Sequence, residues 1–211
     1  MPERSPTTPG IPLFIGIAGG SGSGKTTIAE ALVEHFDDEV ALVQHDAYYR
    51  HTPELSLEER SRVNYDHPAS LETELLLEHL TALRAGESIE RPVYDFAKHL
   101  RSEQVVVIDP APCIVVEGIL VLAEPELRTE LDLAVFVDTE PDLRLARRLE
   151  RDTQERGRTV RSVIGQYLST VRPMHLEFVE GCKEHADLVI YGGDAKPLVA
   201  PLAELIRSRA G

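Results

Sequence analysis

The chain has 211 residues, enough for one domain with an ample core and room for a small insertion. Its 36 acidic against 22 basic residues give a net charge of −14, which excludes a general nucleic-acid or anionic-membrane binder. Only Cys113 and Cys182 are present, far apart and without metal-ligand spacing, so both are expected to be reduced structural thiols of a cytoplasmic protein.

Residues 1–10 carry three prolines and no apolar stretch; a loose tail is expected there, not a signal peptide, with one domain over 11–211. Leu13 to Ala18 is a short apolar run suited to a buried strand. It leads into Gly19-Gly20-Ser21-Gly22-Ser23-Gly24-Lys25-Thr26-Thr27, which fits G-x-x-x-x-G-K-[ST]. Glycine lets the backbone curl around a phosphate with its N–H groups inward. Lys25 then supplies a point charge for the β- and γ-phosphates, and the Thr26 hydroxyl suits Mg²⁺. Ile28, Leu32, Val33 and Phe36 recur at helical spacing, so a helix N-terminus completes the anion site.

Val40 to Val43 reads as a second strand running into Gln44-His45-Asp46, followed by a polar, Tyr-rich segment from Ala47 to Pro68. Leu71, Leu75, Leu76, Leu80 and Leu83 mark an amphipathic helix with Gly86 as its C-terminal cap. Ser88 to Asp95 and Gln104 to Asp109 look extended and separated by the polar loop Phe96 to Glu103, a β-hairpin excursion over about 88–109. Cys113 to Ala123, the longest apolar run, is broken by Glu117 and too short to span a bilayer; within it Ile114 to Gly118 is a buried-type strand ending in an acid.

Leu133 to Asp138 is another strand, and Thr139 with Pro141 and Asp142 signals a helix start, the helix running to about Glu155. Val160, Val163, Ile164, Tyr167, Leu168 and Val171 predict a further helix that Pro173 should end or kink. Leu188 to Tyr191 is a last strand, and Leu198, Val199, Leu202, Leu205 and Ile206 make a closing helix. Strands alternating with helices predict an α/β fold of the P-loop kinase type, a parallel sheet covered on both faces.

In such a sheet ligands bind beyond the C-terminal strand ends, which brings Asp46 and Glu117 towards the phosphate loop. Phosphoryl transfer to a hydroxyl needs a proton acceptor, a metal and cations. Asp46 is the candidate base against a role as a turn or cap acid, and Glu117 the candidate for the Mg²⁺ shell against a structural ion pair. Asp138, beside Thr139, suits helix-start chemistry at least as well as catalysis. The Arg-rich stretch over about 144–161 (Arg144, Arg147, Arg148, Arg151, Arg156, Arg158, Arg161) reads as a closing lid over phosphates or as a solvated helix paired with Glu150, Asp152 and Glu155. Tyr48, Tyr49, Tyr65, Asp66, Tyr94, Phe96 and His99 describe a pocket for a flat polar ring, or a small satellite core under the hairpin.

Several stretches together resemble the uridine kinases (uridine–cytidine kinases). They are Gln44 to Arg50, Asn64 to Pro68, Pro92 to Phe96, Val116 to Leu120, Phe136 to Thr139 and Arg151 to Arg158, in unbroken order from about Pro12 to Gly193. The resemblance implies ATP:uridine 5′-phosphotransferase activity in pyrimidine salvage, giving UMP from uridine and CMP from cytidine. It implies Asp46 as base, with Thr26, Asp46 and Glu117 around Mg²⁺. Asp66 and Arg148 match ribose contacts; Tyr49, Tyr65, Tyr94, Phe96, His99, Arg158 and Gln166 match the nucleoside pocket; Arg151 and Arg156 match the phosphate-facing lid. It also implies a homotetramer and feedback inhibition by UTP or CTP. Two positions depart from the family pattern. Ile190-Tyr191-Gly192-Gly193 lacks the arginine of Pro-Arg-Gly-Gly, which leaves both ATP and GTP open as donors, and Leu100 stands where a Ser or Thr usually precedes the arginine. The nearest rival readings are phosphoribulokinase and pantothenate kinase, whose acceptors offer no base for the aromatic cluster. A GTPase switch would need Asn-Lys-x-Asp, and the single asparagine, Asn64, precedes Tyr65.

Overall fold

The computed structural model describes residues 12–36, 39–192 and 196–210; the expected tail and Gly193 lie outside them. Five strands form one parallel sheet: β1 (Leu13–Ala18), β2 (Val40–Gln44), β5 (Cys113–Glu117), β6 (Leu133–Asp138) and β7 (Leu188–Tyr191), in the order β2-β5-β1-β6-β7. Strands β3 (Ile89–Asp95) and β4 (Leu100–Ile108) form a separate antiparallel hairpin. The register Gly16↔Val116 and Gly16↔Ala134 centres β1, so the loop after it leaves from the middle of the sheet.

Successive strand residues point to opposite faces, and each face has its own cover. Ile15, Ile17, Val115 and Val135 pack against α1 (Lys25–Phe36) through Ile28 and Leu32, and against α8 (Lys196–Ala210) through Leu202 and Ile206. Phe14, Val43, Val116 and Phe136 face α3 (Thr73–Arg84), whose Leu76, Leu80 and Leu83 are fully buried. Each such leucine contributes roughly 1.5–3 kcal/mol by leaving water. Helix α3 ends in a Schellman motif: Glu87 N–H donates to the Ala82 carbonyl at 2.9 Å and Gly86, at φ 82°, donates to Leu83 at 3.1 Å.

Several boundaries differ from expectation. The second hairpin strand begins at Leu100, four residues before Gln104, because main-chain pairing (Asp95↔Leu100, Tyr94↔Arg101) needs no apolar period. His99, at φ 51°, makes the turn. Two short helices lie in segments without a predicted helix: α2 (Leu57–Ser61) and α4 (Pro125–Glu130). The signal for α2 is present in the chain, since Ser56 and Glu59 form a reciprocal capping box.

Helix α5 (Pro141–Gln154) starts where expected, but Thr139 does not cap it. Its hydroxyl instead donates to the Ser23 carbonyl at 2.9 Å, tying β6 to the glycine loop. After α6 (Val160–Gln166), Pro173 neither ends nor breaks the helical run. Wide π turns at Tyr167–Val171 and His175–Val179 flank α7 (Arg172–Met174), and a 3₁₀ stretch carries on to His185. A wider turn before the proline relieves the clash of its ring with the preceding turn. Both cysteines are free and buried. Among the described residues, no helix is long and apolar enough to cross a membrane.

Candidate active site

The glycine loop occupies residues 19–24, and α1 begins at Lys25. Gly22, at φ 80°, lies so close to the main chain of α5 that a methyl group there would overlap the Arg144 carbonyl oxygen. Only glycine meets both demands. Ser23 N–H donates to Gly20 at 3.0 Å, closing the curl. Gly22, Gly24, Lys25, Thr26 and Thr27 line a cavity, whereas Gly19, Gly20 and Ser23 form the back of the loop.

Glu117, at the C-terminal end of β5, is buried beside this loop. Its Oε2 accepts from the Thr26 hydroxyl at 3.3 Å and pairs with Lys25 Nζ at 3.5 Å. Burial pushes its carboxyl up, and Lys25 pulls it back. Asp46 stands in the 3₁₀ turn His45–Tyr48 that follows β2. It is not a cap: its Oδ1 is buried without a hydrogen-bond partner and the residue lines both the loop cavity and the aromatic cavity next to it. A buried carboxylate oxygen of this kind is costly unless a ligand completes it. The donor set of Thr26 hydroxyl and two carboxylates is all hard oxygen, which fits Mg²⁺.

Beyond Asp46, Tyr49, Tyr65, Tyr94, Phe96 and His99 line the aromatic cavity together with Asp66. Tyr49 packs edge-on to Tyr65 at 5.2 Å, and His99 stacks on Tyr65 at 5.1 Å with 13° between the planes. Pocket and satellite core therefore coincide. Tyr48 does not belong to the cluster. It is wholly buried towards α3, with its hydroxyl 2.8 Å from His79 Nδ1. Burial pushes the Asp66 carboxyl up while Arg148 draws it down. Burial and the neighbouring Arg158 push His99 down, which favours its neutral ring.

The arginines approach from α5 and the loop after it. Most amphipathic helices bury an apolar face, but the buried residues of α5 are Arg144, Arg148 and Asp152, one turn apart, while Leu143 is exposed. Arg148 donates to Ser21 Oγ at 2.7 Å and to Gln166 Oε1 at 2.8 Å, linking the glycine loop, α5 and α6. Arg156 lies 4.2 Å over the Phe96 ring. Asp152, a residue that sequence reasoning treated only as a surface partner, is fully buried and gathers Arg148, Arg151, Arg156 and Arg158 within 2.8–3.6 Å. Burial alone would raise its carboxyl; Arg148 and Arg151 hold it below the usual range. Neither Asp138 nor Arg144 lines either cavity: Asp138 pairs with Lys183 at 2.9 Å, and Arg144 lies behind the loop. Sequence reading also missed Gln44 and Arg91, which line the loop cavity and meet at 3.1 Å.

Comparison with known proteins follows the same outline. A family model described as "Phosphoribulokinase / Uridine kinase family" matches residues 14–197. A uridine kinase of Chloroflexus aurantiacus is 52% identical over 188 residues, covering 89% of this chain and 90% of that protein. One of Alkaliphilus metalliredigens is 47% identical over 205 residues, covering 94% and 99%. Among solved structures, a possible uridine kinase from Bacillus stearothermophilus superposes with a TM-score of 0.57 at 20% identity, covering 88% of this chain and 91% of that one. The phosphoribulokinase of Rhodobacter spheroides gives 0.58 at 14%, covering 86% and 70%. These structural likenesses speak for the fold alone.

Proposed function

The chain belongs to the phosphoribulokinase / uridine kinase family, and from that premise we propose that it is a uridine kinase, transferring the γ-phosphate of ATP to the 5′-hydroxyl of uridine or cytidine. The observation that carries this reading is one carboxylate, Asp46, with a buried and unpartnered Oδ1, shared by a phosphate-loop cavity and an aromatic cavity. In the reaction so read, Asp46 orients the ribose 5′-hydroxyl and takes its proton. The 5′-oxygen bonds to the γ-phosphorus as the bond to the β,γ-bridging oxygen breaks, and ADP leaves. Lys25 and the loop N–H groups hold the phosphates, and Arg151 and Arg156 meet charge that spreads onto the γ-phosphoryl oxygens.

Thr26, Glu117 and Asp46 would hold Mg²⁺, which neutralises phosphate charge when bound. Asp66 and Arg148 are assigned to the ribose hydroxyls. Tyr49, Tyr65, Tyr94, Phe96, His99, Arg158 and Gln166 are assigned to the base, with the neutral His99 ring able to donate or accept at its edge. A cytoplasmic homotetramer inhibited by UTP or CTP belongs to the same proposal, on the strength of the resemblance.

The test is turnover with Mg-ATP or Mg-GTP against uridine, cytidine, adenosine, ribulose 5-phosphate and pantothenate. Selective 5′-phosphorylation of the two pyrimidine nucleosides is expected. Activity on ribulose 5-phosphate alone would overturn the acceptor reading and keep the donor site.

A further inference from the structure

Behind the glycine loop lies a charge that the mechanism above does not use. Arg144 is 6% exposed, yet no Asp or Glu among the described residues pairs with it directly. Its Nε donates to the Thr139 carbonyl at 2.9 Å, and its guanidinium otherwise meets only the His175 ring, at 3.1 and 3.4 Å. His175 Nε2 lies 2.8 Å from Glu180 Oε2. With the ring proton on Nε2 donated to Glu180, Nδ1 is left to accept from Arg144 Nη1 at 3.4 Å, while the closer approach, Nη2 to Nε2 at 3.1 Å, is a packing contact of guanidinium on ring. Glu180 therefore fixes the tautomer that lets histidine hold the guanidinium. Glu180 also pairs through Oε1 with Lys183 at 2.6 Å, a cation it shares with Asp138 at 2.9 Å.

The guanidinium stands against the loop itself. A methyl group on Gly20 would overlap Arg144 Nη1 and sit 3.1 Å from His175 Cε1, and one on Gly22 would overlap the Arg144 carbonyl. Thr139, which accepts from Arg144 at its carbonyl, donates through its hydroxyl to Ser23. Arg144 thus touches the loop at Gly20 and Gly22 and, through Thr139, at Ser23. The His175–Val179 π turn gives the helical run a register change where it presents this histidine. A buried cation without a paired anion is expensive, and a loop built to receive phosphates offers it one.

We propose that Arg144 is a positioning residue of the phosphate loop whose buried charge is completed by the polyphosphate of the bound donor, and that His175, oriented by Glu180, holds it in place. The proposal rests on the donor half of the reading above and is independent of the acceptor.

Calorimetric titration with ATP, ADP and uridine, with thermal unfolding in parallel, tests it on wild type, Arg144→Gln, Arg144→Lys and His175→Gln. Arg144→Gln is expected to weaken ATP about tenfold, ADP less and uridine not at all, while the unliganded protein melts close to wild type and its gain from ATP shrinks. Arg144→Lys should recover most of the ATP affinity. His175→Gln should weaken ATP by a smaller factor, and combining it with Arg144→Gln should add little. If Arg144→Gln does not fold, the Lys and His175 variants decide by the same ATP-against-uridine split. ATP affinity equal to wild type, or equal losses for ATP and uridine, would overturn the proposal. Wild type that binds ATP but does not turn over uridine would refute the acceptor reading and leave this one standing.

Discussion

The proposed donor and acceptor halves of the site are built from different materials. On the donor side the main chain does the work: a glycine loop leaving the central strand, a helix start, and buried charges at strand ends. On the acceptor side almost nothing comes from the sheet. The pocket is made of aromatic rings from the hairpin and the turns between β2 and α3, packed on one another. A phosphate is alike in every nucleotide and can be held by backbone, whereas a base is recognised by faces and edges that only side chains supply. Asp46 stands where the halves meet.

That contrast can be broken at the junction first. Asp46→Asn keeps the shape and removes the proton acceptor; turnover should fall by roughly 10²–10⁴ with ATP still bound, as measured by steady-state rates beside direct nucleotide titration. Near-normal turnover would return Asp46 to a structural role. On the donor side, Gly22→Ala forces a methyl group against Arg144 at a positive φ, which should cost about 1–3 kcal/mol of stability and weaken ATP, with uridine binding unchanged. On the acceptor side, His99→Ala should change kcat/KM for uridine and cytidine unequally, by several-fold to about 10²-fold for a lost polar base contact. Equal changes would make His99 a packing residue of the Tyr65 stack.

The smallest effect concerns pH. Burial and Arg144 push His175 below its ordinary value, so folding contributes stability above about pH 6.5, the unfolded value, that is lost as acid charges the ring. Arg144, Lys183 and Glu180 are the charges acting on it. Unfolding midpoints followed from pH 7 to 5 should fall less steeply in His175→Gln than in wild type.

The same contrast explains what could be read from the chain. Strands of the sheet and the glycine loop announce themselves because apolar runs and G-x-x-x-x-G-K-[ST] are local. Helix α3 likewise shows its leucines at helical spacing. What α5 buries is hidden, because Arg144, Arg148 and Asp152 have the composition of a solvated face, and only the neighbours brought by the fold make burial tolerable. Asp152 was legible as an acid among arginines but not as their centre. Thr139 carries a helix-start signal and spends its hydroxyl on Ser23, 116 residues away in the chain. Pro173 reads as a break, and two π turns absorb it. In each case a long-range partner outweighs a local preference.

Four arginines around one carboxylate leave the cluster at Asp152 three charges positive inside a chain of net −14. The field around the molecule therefore changes sign with distance. A nucleoside triphosphate far from the surface is repelled by the whole protein, and it feels the arginines only within a screening length, about 8 Å at physiological ionic strength. Added salt thins the outer repulsion before it reaches the inner attraction. Capture of the donor is then expected to quicken with moderate salt and slow again at high salt, which stopped-flow binding across ionic strength would read as a maximum, and a steady decline would refute.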